Sequence, residues 1–223
     1  MSIAERLSGV RTRIDAACVA AGRSPESVTL VAVSKMHPAE RVAEAMATGQ
    51  LDFGENYAQQ LRDKAIALGP GPRWHFIGNL QRNKVKYVAG RCWLFHAFDR
   101  IKLADAFASR YPNPQRVLVQ VNTGGEETKA GVEPDAALAL CEAVQAHPGV
   151  VLAGLMTIPP FRPDPEDVGP FFQVLQDLQA EGRRRGLPLD ELSMGMSHDF
   201  HVAVRHGATL VRVGTAIFGP RPA

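Results

Sequence analysis

The chain has 223 residues, 45% apolar and 22% charged, and 25 basic against 23 acidic side chains leave a net charge of +2. That is the composition of an ordinary folded domain, and so even a balance offers no bulk attraction to nucleic acid or to an anionic membrane. Three scattered cysteines without a CxxC pair, and a first segment charged throughout, lead us to expect free thiols in a reducing cytoplasm and no secretory leader.

In chain order, a helical pattern over residues 3–21 comes first, and TLVAV (29–33) then reads as a buried strand. The strand runs into Ser34-Lys35, where a lysine needs a reason, because a buried ammonium must be paired or give up its proton. Further strand patterns follow at 51–54, 74–77, 93–97, 116–121, 151–155, 191–195 and 209–213, eight in all. Helical patterns separate them at 38–48, 57–67, 80–90, 100–110, 134–146, 168–186 and 198–207, with start signals at Pro38, Asp99 and Pro134-Asp135. The basic run Arg183-Arg184-Arg185 closes one of these patterns, where cations suit the helix dipole. The longest apolar run, 149–156, is far short of the roughly 18 residues a membrane span needs.

Strands alternating with helices predict a parallel sheet, and eight units predict a single (β/α)₈ TIM-type barrel over residues 1–223. A doubly wound open sheet is the alternative, but SKMHP, not a glycine-rich dinucleotide fingerprint, follows the first strand. In a barrel, function is built at the C-terminal ends of the strands. Those ends read Lys35, Glu55-Asn56, Gly78-Asn79, Asp99-Arg100, Asn122, Met156-Thr157, Met196-Ser197 and Gly214-Thr215.

The last two loops pair a glycine with a hydroxyl, Gly195 with Ser197 and Gly214 with Thr215, where barrels often hold a phosphate. Arg212 lies between Val211 and Val213, so it shares the opposite face with Gly214. It either pairs with a buried carboxylate or touches a ligand beside the phosphate. A mouth lysine, a phosphate cradle and this arginine together point to pyridoxal 5′-phosphate. Lysine in an apolar site loses its proton readily and condenses with an aldehyde. An arginine near the pyridine nitrogen would keep that nitrogen unprotonated and weaken the ring as an electron sink.

The strings LVAVSK (30–35), FGENY (53–57), WHFIGNLQRNK (74–84), VQVN (119–122), TKAG (128–131), GLMTI (154–158), LSMGMSHD (192–199) and VRVGTAIFG (211–219) run in order through nearly the whole chain. With them the chain resembles the pyridoxal phosphate homeostasis proteins, whose fold is that of the N-terminal barrel of alanine racemase, the type III fold of pyridoxal phosphate proteins. The resemblance implies that Lys35 carries the cofactor as a Schiff base. It places Ser197, Gly214 and Thr215 on the phosphate and Arg212 near the ring nitrogen. Asn56, His75 and Met156 would line the ring's surroundings, and Lys129 is a weaker candidate at the mouth. Gln60 stands where many relatives carry glutamate, and Gly124-Gly125 is an extra glycine pair, neither of them at an implied cofactor contact.

Racemisation would need acid–base groups on both faces of the ring. In alanine racemase-like enzymes the second is a tyrosine from another subunit, and a C-terminal β domain follows the barrel. We expect that domain to be missing here, and of Tyr57, Tyr87 and Tyr111 only Tyr57 stands near the mouth. The resemblance thus implies a non-catalytic protein that holds and buffers the cofactor in vitamin B6 and amino-acid homeostasis and passes it transiently to apo-enzymes, and the expected loss of the β domain, one dimerisation surface, leads us to expect a monomer. A small racemase-like enzyme is the alternative. His198, His201 and His206 raise a metal-dependent barrel enzyme, but no third ligand or catalytic carboxylate accompanies the His198-x-x-His201 pair, and we expect no metal.

Overall fold

The computed structural model of the chain describes residues 1–126 and 130–220. Helix α1 (Ile3–Ala20) precedes β1 (Thr29–Val33). There follow α2 (Ala39–Met46), β2 (Asp52–Glu55), α3 (Ala58–Leu68), β3 (Arg73–Phe76), α4 (Val85–Val88), β4 (Cys92–Phe98), α5 (Lys102–Ala108) and β5 (Gln115–Gln120). The chain continues through α6 (Pro134–Gln145), β6 (Val150–Met156), α7 (Gly169–Arg184), β7 (Glu191–Met196), α8 (Phe200–Arg205), β8 (Leu210–Val213) and α9 (Thr215–Phe218). The strands close in sequence order into a barrel, every pairing parallel, with β8 against β1. The eight-stranded barrel is therefore the fold, and the open sheet is excluded.

Local chemistry explains the elements. Ser2 caps α1, accepting from the Glu5 N–H at 3.2 Å while the Glu5 carboxylate accepts from the Ser2 N–H. Ile3, Leu7, Val10, Ile14 and Cys18, spaced by three and four, form its buried stripe. Phe76 and Phe95 stand between sheet and helices, Phe95 against Phe107 of α5. Burial pushes the Cys141 thiol up to about 12, so this cysteine is packing and not a nucleophile. No helix among the described residues is long and apolar enough to cross a membrane.

One element departs from its pattern. Instead of a helix over 80–90, the chain makes a 3₁₀ turn at Arg82–Lys84 and the single turn α4. The chain must first pass against the end of β2. At Gly78 a Cβ would lie 2.2 Å from the Asn56 carbonyl oxygen, so the backbone there is committed to a close approach and not to a helical turn.

The barrel interior is where the site begins. Val31 pairs in register with Arg212, so Val31, Val33 and Arg212 point inward while Leu30 and Ala32 face the helices. A TIM-type interior is usually filled by branched apolar side chains. Here it also holds Asp52, His75, His96, Ser193 and Arg212, all buried.

Candidate functional site

Lys35 follows β1 in a tight turn. Met36 takes a left-handed backbone (φ 67°), the His37 N–H donates to the Ser34 carbonyl at 3.1 Å, and the Gln60 side-chain oxygen accepts from the Met36 N–H at 3.1 Å. A non-glycine residue at positive φ costs free energy and persists only where neighbours enforce it. The His37 ring also stacks on Phe218 of α9, 5.3 Å between centroids, tying this turn to the loop after β8. Gln60 thus braces the residue next to Lys35, a role its place in the sequence did not reveal.

Lys35, Asn56, Ser197, Arg212, Gly214 and Thr215 border one cavity of about 170 Å³ at the C-terminal ends of the strands. Val33, Ile77, Ile158 and Met196 complete its wall. Six of the eight residues singled out from sequence therefore come together. His75 and Met156 are buried and lie outside this lining, while Ile158, two residues past Met156, is in it. Lys129 falls outside the described residues. Size alone would have pointed elsewhere, since clefts of about 380 and 520 Å³ lie at the opposite end of the barrel and beside Asn56.

The two glycine-hydroxyl loops are shaped by sterics. Gly195 has φ +89°, and a Cβ there would lie 2.6 Å from the Ala203 Cβ, so only glycine lets the chain turn tightly from β7 into α8. Asp199 secures the turn by accepting from the Met196 N–H at 2.6 Å, leaving Ser197 at the rim. At Gly214 a Cβ would approach the Val33 carbonyl oxygen to 3.2 Å. Among the described residues neither the Ser197 nor the Thr215 hydroxyl has a hydrogen-bond partner.

Two buried cations lie beneath the mouth. Lys64 of α3 donates to Glu55 Oε1 at 2.5 Å and to the Ser34 carbonyl at 2.8 Å, while the Ser34 hydroxyl donates to the same Glu55 oxygen at 2.7 Å. Burial pushes the Glu55 carboxyl up, opposed by Lys64, Ser34 and the nearby Lys35, and its Oε2 has no partner. Arg212 instead donates to Ser193 Oγ at 2.5 Å and to the Thr157 carbonyl at 2.9 Å. It forms no ion pair among the described residues, so the expectation of a buried carboxylate partner is not met. Burial lowers it to about 10, with Asp199 supporting its charge from a distance.

His75 sits deeper. Its Nε2 meets Asp52 Oδ1 at 2.9 Å, and its Nδ1 meets His96 Nε2 at 2.8 Å. Asp52 also accepts from Arg73 at 2.5 Å. Burial works to raise Asp52, but its hydrogen bonds to His75 and Arg73 and the Arg73 charge outweigh it and hold the carboxyl below its usual value.

The sequence placed Glu55 and Thr157 at the mouth only as strand ends without a role, and it did not single out Lys64, His96 or Ser193. Lys64 carried a signal, since it falls three residues after Leu61 on the buried stripe of α3, where a lysine demands a partner. Ser193 and His96 carried none, because inward-facing polar residues on different strands meet only when the barrel closes. His198 bonds the Pro163 carbonyl at 3.2 Å and His201 stands 3.7 Å from Glu166. Among the described residues no three His, Cys, Asp or Glu side chains converge as a metal cluster would. Tyr57 caps α3, half exposed and outside the cavity, and Tyr87 lies under the Arg62 guanidinium.

The profile of the alanine racemase N-terminal domain matches residues 13–222. The chain is 47% identical over 226 residues to the pyridoxal phosphate homeostasis protein of Aquifex aeolicus, covering 99% of each. It is 43% identical over 224 residues to that of Pseudomonas aeruginosa, covering 99% of this chain and 96% of the relative. Among solved structures, PipY of Synechococcus elongatus with pyridoxal phosphate bound superposes with a TM-score of 0.83 at 33% identity, over 98% of this chain and all of that one.

Proposed function

Since this chain belongs to the alanine racemase N-terminal domain family, among the pyridoxal phosphate homeostasis proteins, we propose that it binds pyridoxal 5′-phosphate in the barrel mouth and holds it covalently on Lys35 without sustained turnover. The observation that carries this reading is the convergence of Lys35, Arg212 and two glycine-hydroxyl loops on one cavity. Two hydroxyls without partners among the described residues, and a close backbone approach at Gly214, suit a phosphate group. When bound, the cofactor supplies an aldehyde that a lysine amine can condense with, and a conjugated ring.

This chain's residues do the rest. The turn through Met36 aims Lys35 into the cavity, above the buried Glu55 carboxyl. Ser197, Gly214 and Thr215 would hold the phosphate, and Asn56 would border the ring. Arg212, a donor with neutral partners among the described residues, would face the ring nitrogen and discourage its protonation, restraining the electron sink that turnover would use. No tyrosine borders the cavity among the described residues, and the relatives are named homeostasis proteins and not enzymes. The protein acts as a cytoplasmic monomer that buffers the cofactor and yields it transiently to apo-enzymes.

The test is retention. Wild type loaded with pyridoxal phosphate keeps its visible absorbance through desalting, and Lys35→Ala does not. Borohydride reduction followed by peptide mass analysis places the added mass on Lys35. Retention by Lys35→Ala would remove the anchor, and steady racemisation of an amino acid by the loaded wild type would overturn the non-catalytic reading.

A further inference from the structure

Behind Arg212 a line of side chains crosses the barrel that the cavity itself does not reach. Arg212 bonds Ser193 of β7 at 2.5 Å, Ser193 Oγ bonds His96 Nδ1 of β4 at 2.8 Å, His96 Nε2 bonds His75 Nδ1 at 2.8 Å, and His75 Nε2 bonds Asp52 at 2.9 Å. All five residues are at most 6% exposed, so water does not substitute for any link. A buried donor or acceptor left without its partner costs more than the bond contributes.

The direction of every bond follows from counting protons. Arginine can only donate, and an ionised carboxylate can only accept. His75 therefore gives its Nε2–H to Asp52, which leaves Nδ1 to accept from the Nε2–H of His96. That leaves His96 Nδ1 to accept from the Ser193 hydroxyl, whose oxygen accepts from Arg212. With both rings neutral, each donor has one acceptor and all bonds point from Arg212 toward Asp52. The reverse arrangement, His96 donating through Nδ1, needs a doubly protonated His75. It also puts two donors on Ser193 Oγ and strands the serine proton, because no third partner of that hydroxyl exists among the described residues.

We infer that His96 and Ser193 are positioning residues for Arg212. The bare Nδ1 of His96 draws the Ser193 hydroxyl proton away from Arg212, so the serine oxygen presents a lone pair to the guanidinium. The Thr157 carbonyl takes a second guanidinium N–H, and two fixed acceptors define the plane in which Arg212 meets the cavity. Neither His96 nor Ser193 borders the cavity, so each acts only through Arg212. The inference rests on the reading that Arg212 contacts the cofactor ring. Burial, the largest cause, holds His96 well below the usual imidazole value, and the Arg212 charge pushes the same way, which agrees with a neutral ring.

The experiment begins with ligand-free wild type labelled with ¹⁵N-histidine. Both His96 and His75 show the Nε2–H tautomer with a bare Nδ1. A proton on His96 Nδ1, or a doubly protonated His96, overturns the inference whatever the cofactor does. Next, His96→Asn keeps an acceptor near the Nδ1 position, while His96→Gln moves it away. The Asn variant leaves the Arg212 side-chain ¹⁵N–¹H signal of the ligand-free protein in place and binds pyridoxal phosphate within about threefold of wild type. The Gln variant shifts that signal and binds about tenfold more weakly, the loss of roughly one well-placed charged hydrogen bond. Equal behaviour of the two folded variants overturns the inference. If wild type itself fails to retain pyridoxal phosphate on Lys35, the function proposed above falls, while the tautomers and the Arg212 signal still decide the positioning chain.

Discussion

Lys64 and Arg212 are both cations sealed beneath the barrel mouth, and their surroundings differ in kind. Lys64 is closed upon Glu55, with a serine carbonyl and hydroxyl completing the cluster. Among the described residues Arg212 hydrogen-bonds only a hydroxyl and a carbonyl, and it borders the cavity. A buried pair whose charges cancel is a structural unit, strongly coupled and expensive to break from one side. A buried cation with neutral partners is a charge held ready for something else. The contrast separates the frame of the mouth from the part that borders the cavity.

The largest effect that tests this contrast is Lys64→Met. It leaves Glu55 buried without its counter-charge and lowers stability by about 3–5 kcal/mol in urea unfolding. The double variant Glu55→Leu with Lys64→Met recovers most of that loss, since an apolar pair of similar volume replaces two charges. Arg212→Met, by the same measurement, costs less than about 1.5 kcal/mol, because relief of desolvation offsets the lost bonds. Its cost appears instead in cofactor affinity, about tenfold or more. Equal stability losses in the two single variants would erase the distinction.

Acid offers an intermediate test. Burial lowers His96 below the ordinary 6.5, so beneath that pH the unfolded chain binds a proton that the folded chain does not. Stability is full above about pH 6.5 and falls as the pH drops, at up to about 1.4 kcal/mol per pH unit for one such proton. His206, also lowered by burial, adds a smaller contribution of the same sign. Unfolding curves between pH 7 and 5 show this slope in wild type and a shallower one in His96→Gln. An unchanged slope would mean that His96 does not report on the interior chain.

The smallest effect lies at the exposed edge of the mouth. Gln60→Ala removes the acceptor for the Met36 N–H and costs less than about 1 kcal/mol of stability, as a part-exposed bond should. Because that bond holds the turn after Lys35, cofactor dissociation quickens two- to threefold, by about the same bond's worth of order. Gln60→Glu retains the acceptor and leaves the rate near that of wild type. Stopped-flow release of the bound cofactor measures both.

Much of this molecule was legible in one dimension. The eight apolar runs and their spacing led to the barrel, because periodicity reflects which faces must be buried, and Lys35 was conspicuous because ammonium groups do not end buried strands without cause. Gly195 and Gly214 with their hydroxyls were legible as loops, since tight turns leave a residue-type signature. The helix over 80–90 was misjudged because the close approach of Gly78 to Asn56 depends on a neighbouring strand end. His75 looked like a ring contact but lies in the interior line, for depth along a strand is not encoded in its alternation. Local propensity and burial patterns act along the chain, so residue order alone led to the barrel, its mouth and the lysine beside it. Which buried cation is paired with a carboxylate and which is not depends on elements brought together in the closed barrel. Asp52, His75, His96, Ser193 and Arg212 lie on five strands, and hydrogen bonding across a closed barrel joins residues that no sequence spacing relates.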